Sequence, residues 1–164
     1  MLELDEKAWS GLAHAYGEAS DIPAHLRTLY SDPQAIASDD PELWEPLWGS
    51  LCHQADIYTA SIAATPHVVN AAVQALDEGR SFAWSCIALP VAIEDARARH
   101  PFLAVDETYF NALRRINRLI DHAKEHRLAA PFGQVVREAE KILRELRLRD
   151  IPQAPADDGV LFWR

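Results

Sequence analysis

Short breaks rich in proline, aspartate and glycine divide most of the sequence into segments whose apolar residues recur at helical spacing. The two clearest segments begin at Asp106 and Pro131, and in both the apolar residues follow steps of three and four, on one face of a helix. Alternating apolar and polar residues, typical of a half-buried strand, are nearly absent. The sequence therefore predicts an all-α fold of about six or seven helices. Because the connections are short, successive helices must pack antiparallel, as stacked hairpins or as a compact bundle.

Capping signals predict where the early helices begin and end. A first helix is expected over about residues 4–17, ending near Gly17. The stretch SDIPAHLRTLYSD then offers Ser20 or Asp21 as an N-cap and places Pro23 in the first turn, both of which are favoured at helix starts. A second helix is therefore expected to follow Asp21.

The middle of the chain predicts three more helices. In DDPELWEPLWGSL, Asp40 is the expected cap and Pro41 the first helical residue. A turn over His53–Asp56 separates this helix from a long one over about Ile57–Leu76. The run SFAWSCIALPVAIEDARARH then predicts a buried helix with a polar end that stops before Pro101.

The length of 164 residues is that of one domain. We expect residues 1–150 to form a single α-helical domain and residues 151–164 to form an extended tail. A domain of this size needs no metal or disulfide to hold its core, and Cys52 and Cys86 do not form a disulfide framework. The sequence shows no run of roughly 20 apolar residues and no signal pattern at its N-terminus. We therefore expect a cytoplasmic location and no membrane partner.

Negative charge is concentrated in the first half of the chain. Residues 1–79 contain 13 Asp and Glu against two Lys and Arg, a net charge of −11, whereas residues 80–164 have a net charge of +2. The acidic half repels phosphate backbones, so no nucleic-acid partner is expected, but it attracts a basic protein and speeds encounter with it. Asp39, Glu42 and Glu45 cluster at the start of one predicted helix and are the candidate binding carboxylates. The alternative is that the acidic residues only keep the protein soluble.

The stretch LWGSLCHQADIYTASIAATPHVV is interpreted as the bend of a helical hairpin. In a turn between helices, His53 and Gln54 can bond the free carbonyls and amides of the helix ends. Tyr58 and Pro66 are assigned structural roles in the helix that follows. A thiol nucleophile at Cys52 is the alternative, but no third group that would orient it is identifiable.

The segment HAKEH fits H-x-x-E-H, the inverted zinc-peptidase pattern. His122 and His126 would share one helix face, with Glu125 as general base, and a metal-dependent hydrolase is therefore an alternative function. A zinc site needs a third protein ligand, and none is evident in the sequence. A solvated helix end explains the same residues, so we expect neither metal nor cofactor.

Three arginines, Arg114, Arg115 and Arg118, could contact phosphate or form ion pairs with Asp121 and with acidic residues of the N-terminal half. The net charge of −9 favours ion pairs over RNA binding.

Five tryptophans are many for a chain of this length. Trp44, Trp48 and Trp84 lie in apolar stripes and are expected in the core. Trp9 and Trp163 lie near the ends of the chain and are the candidate interface anchors, because tryptophan is enriched in binding hot spots. The alternative is that they cover an end of the core.

Residues 20–76 contain a D-I-P helix followed by a Trp-rich helix and a His-Gln turn. An aromatic residue then precedes small residues, and a proline precedes two aliphatics. The residues that carry these features are Asp21–Leu29, Trp48, His53, Gln54, Tyr58, Ala60, Ala63, Ala64, Pro66, Val68 and Val69. In these features the segment resembles a group of small bacterial HEAT-like repeat proteins. The resemblance implies stacked helical pairs whose open surface binds another protein, in toxin-neutralising or scaffolding roles. It implies no catalytic residues.

The leading hypothesis is a non-enzymatic protein-binding module, of an immunity or antitoxin type, that masks a basic partner. The alternatives are the metal-dependent hydrolase at His122, Glu125 and His126, and a regulatory or scaffolding protein that forms homo-oligomers through its tail.

Overall fold

Helices account for nearly all the regular structure of the computed structural model, which describes residues 1–99, 101–126 and 130–145. These residues form eight α-helices and one short antiparallel hairpin, which confirms the all-α fold class. The elements are α1 (Glu6–Trp9), β1 (Ala13–His14), β2 (Gly17–Glu18), α2 (Ile22–Ser31), α3 (Pro33–Ala37), α4 (Pro41–Leu51), α5 (Thr59–Asp77), α6 (Ser85–Arg99), α7 (Glu107–Glu125) and α8 (Ala130–Glu145). None of the helices in these ranges is long and apolar enough to cross a membrane.

Helix α5 lies at the centre of the core. It packs against α2, α6 and α7, and most of its residues are buried, including Pro66 in its interior. Alanines recur along it, among them Ala60, Ala64 and Ala72, each with no exposed surface. Small side chains at these positions let the neighbouring helices approach closely, so α5 can be covered on several sides.

The predicted first helix over residues 4–17 is wrong. Helix α1 covers only Glu6–Trp9, and a hairpin follows in which Gly17 has a φ of 132°. The physical reason is long-range: the backbone amide of Ala13 donates to the side-chain hydroxyl oxygen of Thr59 at 2.8 Å, so the segment bonds to the start of α5 instead of continuing as a helix.

Helices α2 and α4 begin where the capping signals predict. Asp40 caps α4, because its carboxylate accepts from the amide of Glu42 at 3.0 Å. Helix α3 was not predicted; Asp32 caps it by accepting from the amide of Gln34 at 2.8 Å. With α3 and the shortened α1 the described residues contain eight helices instead of six or seven.

The connection between α4 and α5 is a 3₁₀ turn over His53–Ala55, in which Gln54 and Ala55 have φ values of 51° and 67°. The bonds between the two helix ends come from Ser61, which is fully buried. Its hydroxyl oxygen accepts from the amide of Tyr58 at 2.8 Å and its proton is donated to the carbonyl of Leu51 at 2.6 Å. Ser61 thus satisfies a donor of α5 and an acceptor of α4 with one side chain.

A buried charge network joins α6 to α7. The carboxylate of Glu94, 1% exposed, accepts two bonds from Arg97 at 2.6 and 2.7 Å and one from the hydroxyl of Tyr109 at 2.9 Å. The bonds to Glu94 raise the pKa of Arg97, and burial raises the pKa of Tyr109 above its ordinary value. Every charge in the network is therefore paired, as burial requires.

The C-terminal helices α7 and α8 confirm the last two periodic segments. Asp106 caps α7 by accepting from the amide of Tyr109 at 3.1 Å, and Lys124 of α7 pairs with Glu140 of α8. The predicted tail over residues 151–164, and with it Trp163, lies outside the described residues.

Replacing Ser61 with alanine leaves an amide and a carbonyl without a partner in a buried site. We expect the free energy of unfolding to fall by about 1–3 kcal/mol, the usual cost of stranding buried polar groups. Urea denaturation measures this. The control is Ser38→Ala. The exposed hydroxyl of Ser38 donates to the carbonyl of Gln34 within one turn, so its removal should change stability by less than about 0.5 kcal/mol. Equal stabilities of the two variants would contradict the role given to Ser61.

Candidate functional site

A groove of about 460 Å³ lies between the start of α4 and the start of α6, and we call it the tryptophan groove. Its lining combines three indole rings with two carboxylates: Asp39, Pro41, Trp44, Glu45, Trp48, Trp84 and Ser85. On α4 the lining residues recur at spacings of three and four, so they share one helix face. The wall opposite comes from the residues that open α6.

The indole rings are fixed by bonds made at their edges. The Nε1–H of Trp48 donates to the hydroxyl of Ser85 at 3.2 Å, and the Nε1–H of Trp44 donates to the carbonyl of Ser38 at 3.0 Å. The ring centroids of Trp48 and Trp84 are 6.3 Å apart, with the ring planes inclined at 40°. Trp44 is buried, whereas Trp48 and Trp84 are partly exposed. Because the N–H of Trp48 is already bonded, its exposed part offers a ligand the aromatic ring and not the donor.

Asp39 joins the two walls of the groove. One carboxylate oxygen accepts from the amide of Trp84 and the other from the amide of Ser85, both at 3.0 Å. Nearby, the amide of Ala83 donates to the carbonyl of Ile36 at 2.7 Å. The backbone before α6 is therefore held by α3 and by the loop between α3 and α4, and these bonds place Trp84 and Ser85 beside the start of α4.

The three candidate binding carboxylates have different surroundings. Asp39 is partly buried and committed to two amides, so its assignment as a free rim carboxylate is corrected. Glu42 and Glu45 are exposed, and Glu45 lines the groove. None of the ion pairs among the described residues uses either of them.

The tryptophans are distributed differently from the prediction. Trp9 has no exposed surface; its indole N–H donates to the carbonyl of Glu3 at 2.8 Å and its ring packs near His67. It belongs to the core, and its assignment as a surface anchor is corrected. Trp44 is in the core as expected, whereas Trp48 and Trp84 are only partly buried. The sequence placed them in the core because periodicity marks an apolar face without showing whether another element covers it.

The turn residues lie between α4 and α5 but bond differently from the prediction. Nδ1 of His53 lies 3.3 Å from the hydroxyl of Tyr16, on the hairpin that follows α1, and Gln54 is exposed. The bonding to backbone that was expected of these two side chains is made by Ser61.

The histidines of the HAKEH segment stack on each other. The rings of His122 and His126 have centroids 4.0 Å apart, and Nδ1 of His126 lies 2.9 Å from the carbonyl oxygen of His122. Burial and the neighbouring His126 lower the pKa of His122. Within residues 1–99, 101–126 and 130–145, no group of three or more His, Cys, Asp and Glu side chains could hold a metal ion.

The Cys52 thiol does not have the environment of a nucleophile. Burial raises its pKa, which disfavours the thiolate that a nucleophile requires.

The three candidate arginines have partners within the molecule. Arg118 pairs with Asp77 on α5, Arg115 contacts Asn70 on the same helix, and Arg114 pairs with Glu107 at 2.6 Å.

A second groove, also of about 460 Å³, is lined largely by apolar residues of the N-terminus, α5 and the segment before α7. Among the described residues of this lining, the one carboxylate is that of Asp106, which caps α7. The same described lining includes no aromatic ring, unlike that of the tryptophan groove.

No protein-family model matches this chain, and neither a curated protein nor a solved structure matches it significantly.

Replacing Asp39 with asparagine removes one acceptor and places an amide N–H against a backbone donor. We expect a loss of about 1–2 kcal/mol in the free energy of unfolding, as for a lost helix cap. Thermal or urea denaturation measures the loss. Asp40→Asn is the matched control: asparagine caps a helix about as well as aspartate, so this variant should keep wild-type stability. A fully stable Asp39→Asn protein would show that the two amides do not need the carboxylate.

Proposed function

We propose that the chain is a non-enzymatic protein-binding module that recognises a basic partner through the tryptophan groove and the carboxylates at its rim. The observation that carries the proposal is that one groove brings together the partly exposed indoles of Trp48 and Trp84 and the exposed Glu45, which forms no ion pair among the described residues. Tryptophan faces and carboxylates both attract cations, and tryptophan dominates many protein interfaces. A basic segment of a partner satisfies both features.

The charge of the acidic half supports the same conclusion. Residues 1–79 have a net charge of −11, and the groove lies between α4, in that half, and the start of α6. A field of this sign accelerates the encounter with a basic protein. An immunity-type role, in which the module masks a basic toxin or enzyme, fits this charge and the resemblance to HEAT-like proteins of residues 20–76.

A cytoplasmic location is part of the proposal. Cys52 and Cys86 are free thiols, and free thiols persist in a reducing compartment.

The partner is first identified by chemical cross-linking in the native cells, followed by purification at low salt and mass spectrometry. Cross-links are expected on α4 and on the residues just before α6.

A Trp48→Ala/Trp84→Ala variant should lose the partner. The control is Phe102→Ala, which removes an aromatic ring that is 70% exposed. Phe102 follows α6, whose 15 residues span about 22 Å from the groove end. A partner captured equally by both variants would locate recognition elsewhere.

Neutralising Glu42 and Glu45 together should slow association with that partner several-fold, because rim charges act chiefly on the association rate. Association of the wild type should also slow as salt rises, since exposed charges are screened beyond roughly 8–10 Å at 0.1–0.15 M salt. Stopped-flow kinetics at several salt concentrations measure both effects.

The control is Glu125→Gln/Glu138→Gln, which makes the same change in net charge at two exposed residues of α7 and α8. Equal slowing by the two double variants would mean that only net charge matters. No slowing by either would leave the acidic residues as a solubility device.

A further inference from the structure

We propose that the tryptophan groove is a guanidinium site, which takes an arginine side chain of the partner against its indole faces and pairs it with Glu45. This inference rests on the proposed function and specifies the chemistry of its site. The occupant is one arginine in a basic segment of a protein.

The first argument is the orientation of the indoles. The N–H edge of Trp48 is tied to Ser85 and that of Trp44 to Ser38, so neither ring presents its donor to a ligand. Trp48 and Trp84 both line the groove, with ring centroids 6.3 Å apart and ring planes inclined at 40°. The faces of tryptophan bind cations better than those of any other side chain.

The second argument is the charge around the groove. Glu45 is exposed at the lining and forms none of the ion pairs among the described residues. The carboxylate of Asp39 also lines the groove, but it is fixed by bonds from the amides of Trp84 and Ser85. A cation in the groove would therefore meet one carboxylate that is free to pair and one that is fixed.

The third argument comes from the interior of the same molecule. Arg97 forms two bonds with the carboxylate of Glu94, at 2.6 and 2.7 Å, while its Cζ lies 5.6 Å from the ring centroid of Phe110. That arrangement combines an aromatic face, a glutamate and a guanidinium. The tryptophan groove presents the first two, and the described residues of its lining include no cationic side chain.

The chemistry of the cation then selects arginine. A guanidinium is planar and weakly hydrated, stacks on aromatic rings and bonds a carboxylate with two parallel N–H groups. The lysine ammonium is compact and strongly hydrated, so it loses more on leaving water. A trimethylammonium group has no N–H to donate to Glu45. The groove volume of about 460 Å³ lies in the range of sites for side chains and small ligands.

The test uses three blocked pentapeptides, glycine on both sides of a central arginine, lysine or citrulline, titrated into the ¹⁵N-labelled full-length protein. Citrulline matches arginine in shape but is neutral. The indole N–H resonance of Trp48 and the amide of Ser85 are followed by NMR. We expect saturable shifts with the arginine peptide at a Kd of about 1–10 mM, the range of a single exposed cation site. Lysine should bind at least several-fold more weakly, and citrulline should produce no saturable shift.

Glu45→Gln provides the decisive variant, because an exposed substitution leaves the fold intact. It should weaken the arginine peptide several-fold, whereas Glu42→Gln, on the same helix but outside the lining, should change binding much less. Trp84→Ala should abolish the shifts. The proposal would be overturned if the arginine peptide bound no better than the citrulline or the lysine peptide, or if Glu45→Gln left its binding unchanged. It would also be overturned if no saturable shift appeared up to about 50 mM peptide, well above the expected Kd.

The two proposals fail separately. If the partner requires Trp48 and Trp84 but the arginine peptide does not bind, the arginine inference is wrong and the binding module stands. If the peptide binds with the expected selectivity but the partner ignores the groove, the guanidinium site stands and the proposed function is wrong.

Discussion

The arrangement of this protein follows from the need to bury α5 on several sides. Most of the helix has apolar or small side chains, so α2, α6 and α7 must all pack against it. Helix α6 begins from a backbone segment that is tied to the loop before α4. Once α6 is placed on α5 and anchored there, its first residues face α4 across a narrow separation. The tryptophan groove is the surface left between these two helices.

Signals confined to a few residues predicted the parts of the fold that depend on local bonds. Asp40 before Pro41 and Asp106 before α7 act as the caps that their positions indicate. The first helix was predicted wrongly because the amide of Ala13 bonds to Thr59, 46 residues away. The buried pairing of Glu94 with Arg97 and Tyr109 was missed, although a spacing of three between the charged residues is visible in the sequence. Spacing alone does not show that such a pair is buried.

The sequence was enough to predict one wall of the tryptophan groove but not the other. The helical spacing of Trp44, Glu45 and Trp48 places them on one face of α4, which the sequence shows. The opposite wall is Trp84, brought there by the bonds of Asp39 to a segment 45 residues away, which no local pattern encodes. Glu42 and Glu45 are exposed, whereas Asp39, which belongs to the same acidic cluster, has a structural role. Trp9 and Trp48 differ in the same way: one is covered by the core and the other faces the groove.

The bonds of Asp39 across 45 and 46 positions also set an order of events during synthesis. Contacts of large sequence separation form after local helices, because the intervening chain must first close into a loop. A nascent chain that has produced α4 already carries most of the negative charge of the acidic half, 10 Asp and Glu against two Lys and Arg over residues 1–51, but it has only one wall of the groove. The acidic surface is therefore present before the groove is complete. Folding of α6 onto α4 is the step that adds the second wall of the proposed binding site.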